Sequence, residues 1–141
     1  DKAYVVCELS ETILMLERTV GRWHIIEEVD ALPNTEKGEA AAALKLSPDE
    51  QHLYVSCRHQ SRISHFKLDP VNQKPVFVDS YRTEGSFPRD FHITDDGEWL
   101  IAANQHSNNL TSFKRNKLDG SLTYSGHSLE VGSPVCVTQQ I

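Results

Sequence analysis

The chain has no excess of basic charge, no long apolar run and no paired cysteines, and each absence removes a class of protein. Against 20 acidic residues stand 14 lysines and arginines, a net charge of −6. That balance argues against nucleic acid or an anionic membrane as the partner, while leaving room for a local basic pocket. No stretch approaches the length of a membrane span, and no secretory leader is visible. The three cysteines, Cys7, Cys57 and Cys136, are odd in number, widely spaced and without a CxxC pair. They read as buried, reduced thiols on the strands of a cytoplasmic protein. With the seven histidines they offer no zinc-ligand spacing, so neither metal nor cofactor is expected. A convincing amphipathic helix is also missing. The one helix-like run, Glu39 to Leu44, has good helix formers, but Leu44 and Leu46 alternate about Lys45 and Ser47-Pro48-Asp49 stops it at once. We read Ala42 to Leu46 as a strand.

What remains is a succession of short strands. Ala3–Glu8, Thr12–Glu17, Trp23–Val29, Ala42–Leu46, Leu53–Cys57, Ile63–Leu68 and Val76–Tyr81 are each bounded by turn residues. Beyond them, Phe91 and Ile93 alternate with Asp90 and His92, Asp95-Asp96-Gly97 turns the chain, and Trp99–Ala103 runs back to stop at Asn104-Gln105-His106. Leu110–Arg115, Leu122–His127 and Val135–Thr138 complete an all-β reading of twelve strands spaced about ten residues apart.

These strands repeat. Asp49 and Asp96 stand 47 positions apart (96 − 49), and at the same offset Leu53 matches Leu100, His59 matches His106, Phe66 matches Phe113 and Lys67 matches Lys114. At an offset of 50 (54 − 4), Tyr4 matches Tyr54, Cys7 matches Cys57 and Ile13 matches Ile63. Four strands in a period of 40 to 50 residues signify a β-propeller. With the strands of a blade labelled A (innermost) to D, residues 1–39 supply B to D of one blade. Residues 40–84 and 85–131 supply two whole blades, and 132–141 strand A of a next. Three blades would leave open faces and unpaired edges. The expectation is therefore one partial propeller domain, a piece of a longer protein or a chain whose copies associate.

Where repeats agree, the residues serve folding; where they differ, chemistry is expected. Ends of strand B carry Glu8, Arg58 and Gln105, and starts of strand A carry Ala42, Arg89 and Val135. Both sets should meet at the mouth of the central channel, with His59, Glu84, Asn104 and His106 nearby. Converging arginines suit a phosphate or carboxylate, and a carboxylate or histidine beside them could activate water. A plain ion pair of Glu8 with Arg58 between blades is the competing reading. His24, His52, His65 and His127 are expected to be structural, and Asp49 and Asp96 to be turn residues.

AYVVCELS, LSPDEQHLYVSCRHQSRISHF, EGSFPRDFHITDDGEWLIAANQHSNNL and SPVCV together resemble the seven-bladed β-propeller lactonases, over nearly the whole chain. That family includes the propeller-type 6-phosphogluconolactonases and the carboxy-cis,cis-muconate cyclases. The chain would correspond to the C-terminal three-sevenths of a member. Glu8 falls in the family's acidic-leucine motif, Arg58 in its arginine motif after strand B, Arg89 in PRDF and Gln105 in the strand-end amide motif. Cys7 where asparagine is frequent, and Glu50 where an SPDG glycine is usual, are departures. The resemblance implies hydrolysis of a sugar-acid lactone, 6-phosphoglucono-δ-lactone of the oxidative pentose phosphate route. Glu8 or His106 would be the base, with Arg58, Arg89, Gln105, Asn104, His59 and Glu84 on a phosphorylated or carboxylated lactone. A lactone-forming cyclase and a non-catalytic binding platform are the alternatives. No nucleic acid or membrane partner is implied.

Overall fold

Residues 1–140 are described by a computed structural model, which contains strands and no helix. The first sheet has three strands, β1 (Lys2–Cys7), β2 (Thr12–Thr19) and β3 (Arg22–Asp30), hydrogen-bonded in that order. The second is β4 (Ala41–Leu46), β5 (His52–Cys57), β6 (Arg62–Leu68) and β7 (Pro75–Arg82). The third is β8 (Pro88–Ile93), β9 (Trp99–Asn104), β10 (Asn109–Arg115) and β11 (Leu122–Glu130). All pairings are antiparallel between chain neighbours. Each sheet is thus a meander, and β4, β5 and β6 become β8, β9 and β10 on adding 47 to both of their ends. The alanine-rich run of residues 41–46 is strand β4, because its Leu44 and Leu46 pair with Val55 and Leu53 across the sheet. Tertiary pairing overrides the alanines' helix propensity.

Burial explains the strand compositions. β5 is covered on both faces and all six of its residues are buried, which is why HLYVSC shows no polar alternation. Its side chains point alternately to opposite faces. Leu53, Val55 and Cys57 join Ile13 and Phe66 in a core against the first sheet, and Tyr54 joins Ile63, Phe91, Leu100 and Phe113 in a core against the third. Phe66 and Phe113 occupy equivalent ladder positions, opposite Leu53 and Leu100. Removing either ring would cost about 3–5 kcal/mol. The outermost strands β3 and β11 are mostly exposed.

Repeated polar latches tie one sheet to the next. Tyr4 Oη donates to the Gln73 carbonyl at 2.7 Å and Tyr54 Oη to the Gly120 carbonyl at 2.6 Å, pairs related by the repeat. At the opposite end of the sheets, Glu11, Ser61 and Asn108 hold the left-handed position of successive tight turns, with φ of 48°, 54° and 54°. Their side chains accept from the backbone N–H of Ala40, Phe87 and Ser133 at 3.1, 3.3 and 2.9 Å. Their carbonyls accept from Ala31, Thr83 and Val131. Backbone donors that would otherwise be orphaned between sheets are satisfied the same way three times.

Two expectations are corrected. Val135–Thr138 is not a strand. An innermost blade strand takes its ladder from the second strand of its own blade, and none follows among the described residues. The segment instead lies along β8, with Val137 N–H donating to Asp90 Oδ2 at 3.0 Å and Gln139 Oε1 accepting from Asp95 N–H. Accordingly Cys136 is exposed rather than buried on a strand, and Cys7 is half-buried. Only Cys57 fits the inert-thiol reading, and burial, with Glu11 a lesser cause, pushes its pKa up to about 12. No described helix is long and apolar enough to cross a membrane.

Candidate functional site

Antiparallel pairing brings the end of each second strand beside the start of its first. Ala41 pairs with Cys57, and Pro88 with Asn104. Arg58 N–H donates to the Ala40 carbonyl and Gln105 N–H to the Phe87 carbonyl, both at 3.0 Å. Residues 8, 58 and 105 therefore leave their sheets at the same end of the molecule. Asp49 and Asp96 lie at the other end, where each caps its turn by accepting from a neighbouring hydroxyl and a backbone N–H.

On the first of these ends the structure builds a four-layer stack. Glu8 Oε1 is ion-paired with Arg58 Nη2, joining the first sheet to the second. Arg58 Nε donates to the Ala40 carbonyl at 3.0 Å, which fixes the guanidinium plane. That guanidinium lies 5.0 Å from the centre of the Phe87 ring, and Phe87 in turn stacks on His106 at 3.9 Å with the rings 7° from parallel. The Arg58 side chain is 11% exposed and that of Glu8 58% exposed, so the cation is held in protein while the carboxylate faces solvent. A pair with one exposed member contributes little to stability. Its geometry matters more: an oriented cation, a free carboxylate oxygen and an aromatic platform.

Phe87 was not among the expected residues. It aligns with Ala40 and Ser133, so carrying the repeat comparison two positions ahead of Arg89 would have exposed it. Its backbone is in the left-handed region, with φ of 64°, held by the Ser61 latch and by Gln105. This conformation is uncommon for a bulky residue.

The other expected residues divide. Arg89 is exposed at a bulge between Pro88 and Asp90, and has no ion-pair partner among the described residues. Gln105 adjoins the stack through its backbone, and His59 is exposed on the neighbouring turn. Glu84 is exposed with φ of 55°. Asn104 is fully buried, donating through Nδ2 to the Thr83 carbonyl and to Thr111 Oγ1. Gly85 lies over it so closely that a Cβ there would come within 2.5 Å of the amide. Asn104 thus closes a turn from beneath rather than facing the mouth. No cluster of metal ligands exists among the described residues.

Sheets of four antiparallel strands repeating about a common set of latches define a β-propeller. The chain belongs to the family described as Lactonase, 7-bladed beta-propeller, which it matches over residues 1–139. It is 34% identical over 139 residues to 6-phosphogluconolactonase of Bacillus subtilis, a match covering 96% of this chain and 40% of that protein. Among solved structures it resembles the periplasmic gluconolactonase of Pseudomonas aeruginosa, with TM-score 0.85, 32% identity, and 93% and 37% of the two chains covered. A Lactobacillus plantarum protein superposes with TM-score 0.89 at 28% identity, over 96% of this chain and 40% of that one. The chain thus spans about two-fifths of the relatives it matches.

Proposed function

We propose that the protein of which these blades form part hydrolyses the ester of a sugar-acid lactone, with 6-phosphoglucono-δ-lactone as substrate. The observation that carries this reading is the Glu8–Arg58–Phe87–His106 stack in a member of a lactonase family. Glu8 Oε1 is held by Arg58, while Oε2 has no hydrogen-bond partner among the described residues and is free to take a water proton. Water oxygen then bonds to the lactone carbonyl carbon as its proton passes to the carboxylate. The oxyanion that forms needs a fixed cation, and Arg58 supplies one that requires no reorganisation. Cleavage of the ring C–O bond returns the proton to the departing alkoxide, and the new carboxylic acid releases a proton to solvent. His106 is the second candidate for the base, on the far side of Phe87. Arg89, exposed and unpaired, is assigned to the anionic end of the substrate.

One relative is named for 6-phosphogluconolactone and another for gluconolactone, so the test uses both. Proton release by the full-length protein should exceed the spontaneous rate with the phosphorylated lactone, and exceed it less with the plain one. Arg89→Ala should lower the enzymatic rate by more than about tenfold, the scale of one lost charged contact. His127→Ala, on exposed β11, should not. Equal effects of the two substitutions, or no rate above background, would refute the assignment.

A further inference from the structure

A second cationic site lies further out on the same end of the middle blade. Where β6 begins and β7 ends, Arg62 and Arg82 stand directly opposite one another in the ladder. Like charges in that position repel, and in a chain with net charge −6 such a pair is not explained by composition. The corresponding cross-strand pairs in the other sheets are Thr12 with Asp30 and Asn109 with Glu130. There the outer position is an acid and the inner one is neutral. Only the middle blade replaces both with arginine.

The side chains are also used differently. In the outer sheets the inner residue bonds back into its own turn, Thr12 to Ser10 at 2.9 Å and Asn109, which also reaches outward to Ser128 Oγ, to Ser107 at 2.6 Å. Gln60, which takes the serine's place in the middle blade, is turned away to Glu11 and the Glu36 carbonyl. Arg62 is thereby released. It donates through Nε to Ser80 Oγ at 2.8 Å and through Nη2 to the Ser80 carbonyl at 3.0 Å, leaving Nη1 unused. Arg82 is exposed and has no ion-pair or hydrogen-bond partner among the described residues, whereas its acidic counterpart Asp30 is neutralised by Lys37. Both arginines line a cavity of about 370 Å³ together with Gln60, Ser61, Glu84 and Gly85. Glu84 lies beyond ion-pairing distance of either, so the wall keeps a net positive charge with a carboxylate able to accept a ligand hydroxyl.

The geometry points to a phosphate-binding site formed by Arg62 and Arg82, distinct in position from the Glu8–Arg58 stack. A dianionic group matches two guanidinium charges, and the planar forks suit its oxygens. The phosphate would be either free in solution or the end of a phosphorylated sugar acid. The site itself does not depend on the lactone reading; only the choice between these two sources does.

The test follows the arginine Nε–H resonances of the 15N-labelled full chain as inorganic phosphate, 6-phosphogluconate or gluconate is added at constant ionic strength. Both phosphates should shift the Arg62 and Arg82 signals saturably, with gluconate and chloride inert. Arg82→Gln, at an exposed position, should keep the fold and weaken phosphate at least about tenfold. If 6-phosphogluconate also shifts the Arg58 signal and Arg82→Gln weakens it, the site holds the phosphate end of the sugar acid in place of Arg89. If only Arg62 and Arg82 respond, the ligand is free phosphate. The proposal is overturned by shifts that fail to saturate, that chloride reproduces, or that survive both Arg62→Gln and Arg82→Gln. Absence of lactone hydrolysis would leave these signals unaffected, so the two proposals fail separately.

Discussion

Lowering the pH should loosen the junction between the second and third sheets through a buried histidine pair. His52 and His65 are each at most 1% exposed, with Nδ1 of the first 2.9 Å from Nε2 of the second. His65 stacks on Tyr54, whose hydroxyl accepts from the buried Arg115 guanidinium. His52 Nε2 and His65 Nδ1 have no partner, so neither ring has an acceptor for the proton it would gain. Burial first, then His52 and Arg115, push the pKa of His65 down from 6.5 to about 4, against the weaker opposing pull of Asp119 and Asp79. His52 is lowered as well, by burial first and then by Arg115 and Lys67, against Asp49 and Asp119. Above the unfolded-state value, near 6.5, both states are neutral and the contribution is complete. Below it the unfolded chain takes up a proton that the folded chain refuses, so stability falls until the folded value near 4 is passed. At about 1.4 kcal/mol per pH unit, His65 alone accounts for a loss of about 3 kcal/mol. Urea unfolding followed between about pH 7 and pH 4 reads this directly. Asp49 and Asp119, whose pKa values are lowered, also lose their contribution in acid, and a variant removes that background. His65→Gln keeps an amide within reach of His52 and does not titrate. It should be less stable at neutral pH but show a distinctly flatter decline. Equal slopes in the two proteins would refute the reasoning.

Three further outcomes are expected. Gly120→Ala should cost at least about 2 kcal/mol in urea unfolding, because φ is +76° and a Cβ would lie 2.5 Å from His52 Nδ1; a loss below half of that would show that the pair can move aside. Phe87→Leu removes both ring contacts of the stack, so proton release by the full-length protein should drop several-fold, while the cation–π loss to stability stays within about 2 kcal/mol. The 141-residue chain on its own should self-associate through the exposed apolar side of its first sheet, where Trp23, Ile25 and Ile26 are 47%, 62% and 40% exposed. Sedimentation at rising concentration that shows only monomer would count against this.

The blades were legible because propeller strands obey two rules that a sequence records. A strand covered on both faces, as β5 is, loses its polar alternation, and each unit repeats turn residues such as Asp49 and Asp96 at a fixed offset. Tyr4 with Tyr54 came out of that comparison as an identity, and in the structure the two hydroxyls reach repeat-related carbonyls. The turn latch was invisible to the same comparison. Glu11, Ser61 and Asn108 are chemically unlike, and what they share is a left-handed backbone and an acceptor atom. Val135–Thr138 misled for a different reason. Its composition suits a strand, but a strand is a property of two segments, and the second is not among the described residues.

Which candidate side chains come together was half legible, and the reason lies in what a difference between repeats can mean. Glu8, Arg58 and Gln105 differ at one position of the blade, and the first two do meet, as an ion pair between sheets. Asn104 looked like part of the same polar cluster, yet it is buried beneath Gly85 and spends its amide on Thr83 and Thr111. Polarity at a strand end therefore does not separate a side chain that closes a turn from one that faces solvent. Comparing hydrogen-bond use across repeats does. The Ala40, Phe87 and Ser133 amides all make the same bond, so the phenyl ring of Phe87 is unnecessary to the latch and is left to carry Arg58. Arg62 likewise repeats the reach of Asn109 to its serine, Ser80 or Ser128, and has a guanidinium edge to spare. Both excesses lie at the same end of the molecule, beside the Glu8–Arg58 ion pair that crosses from the first sheet to the second. A propeller holds its blades with groups common to every unit, so chemistry is to be sought in what one unit has beyond that need.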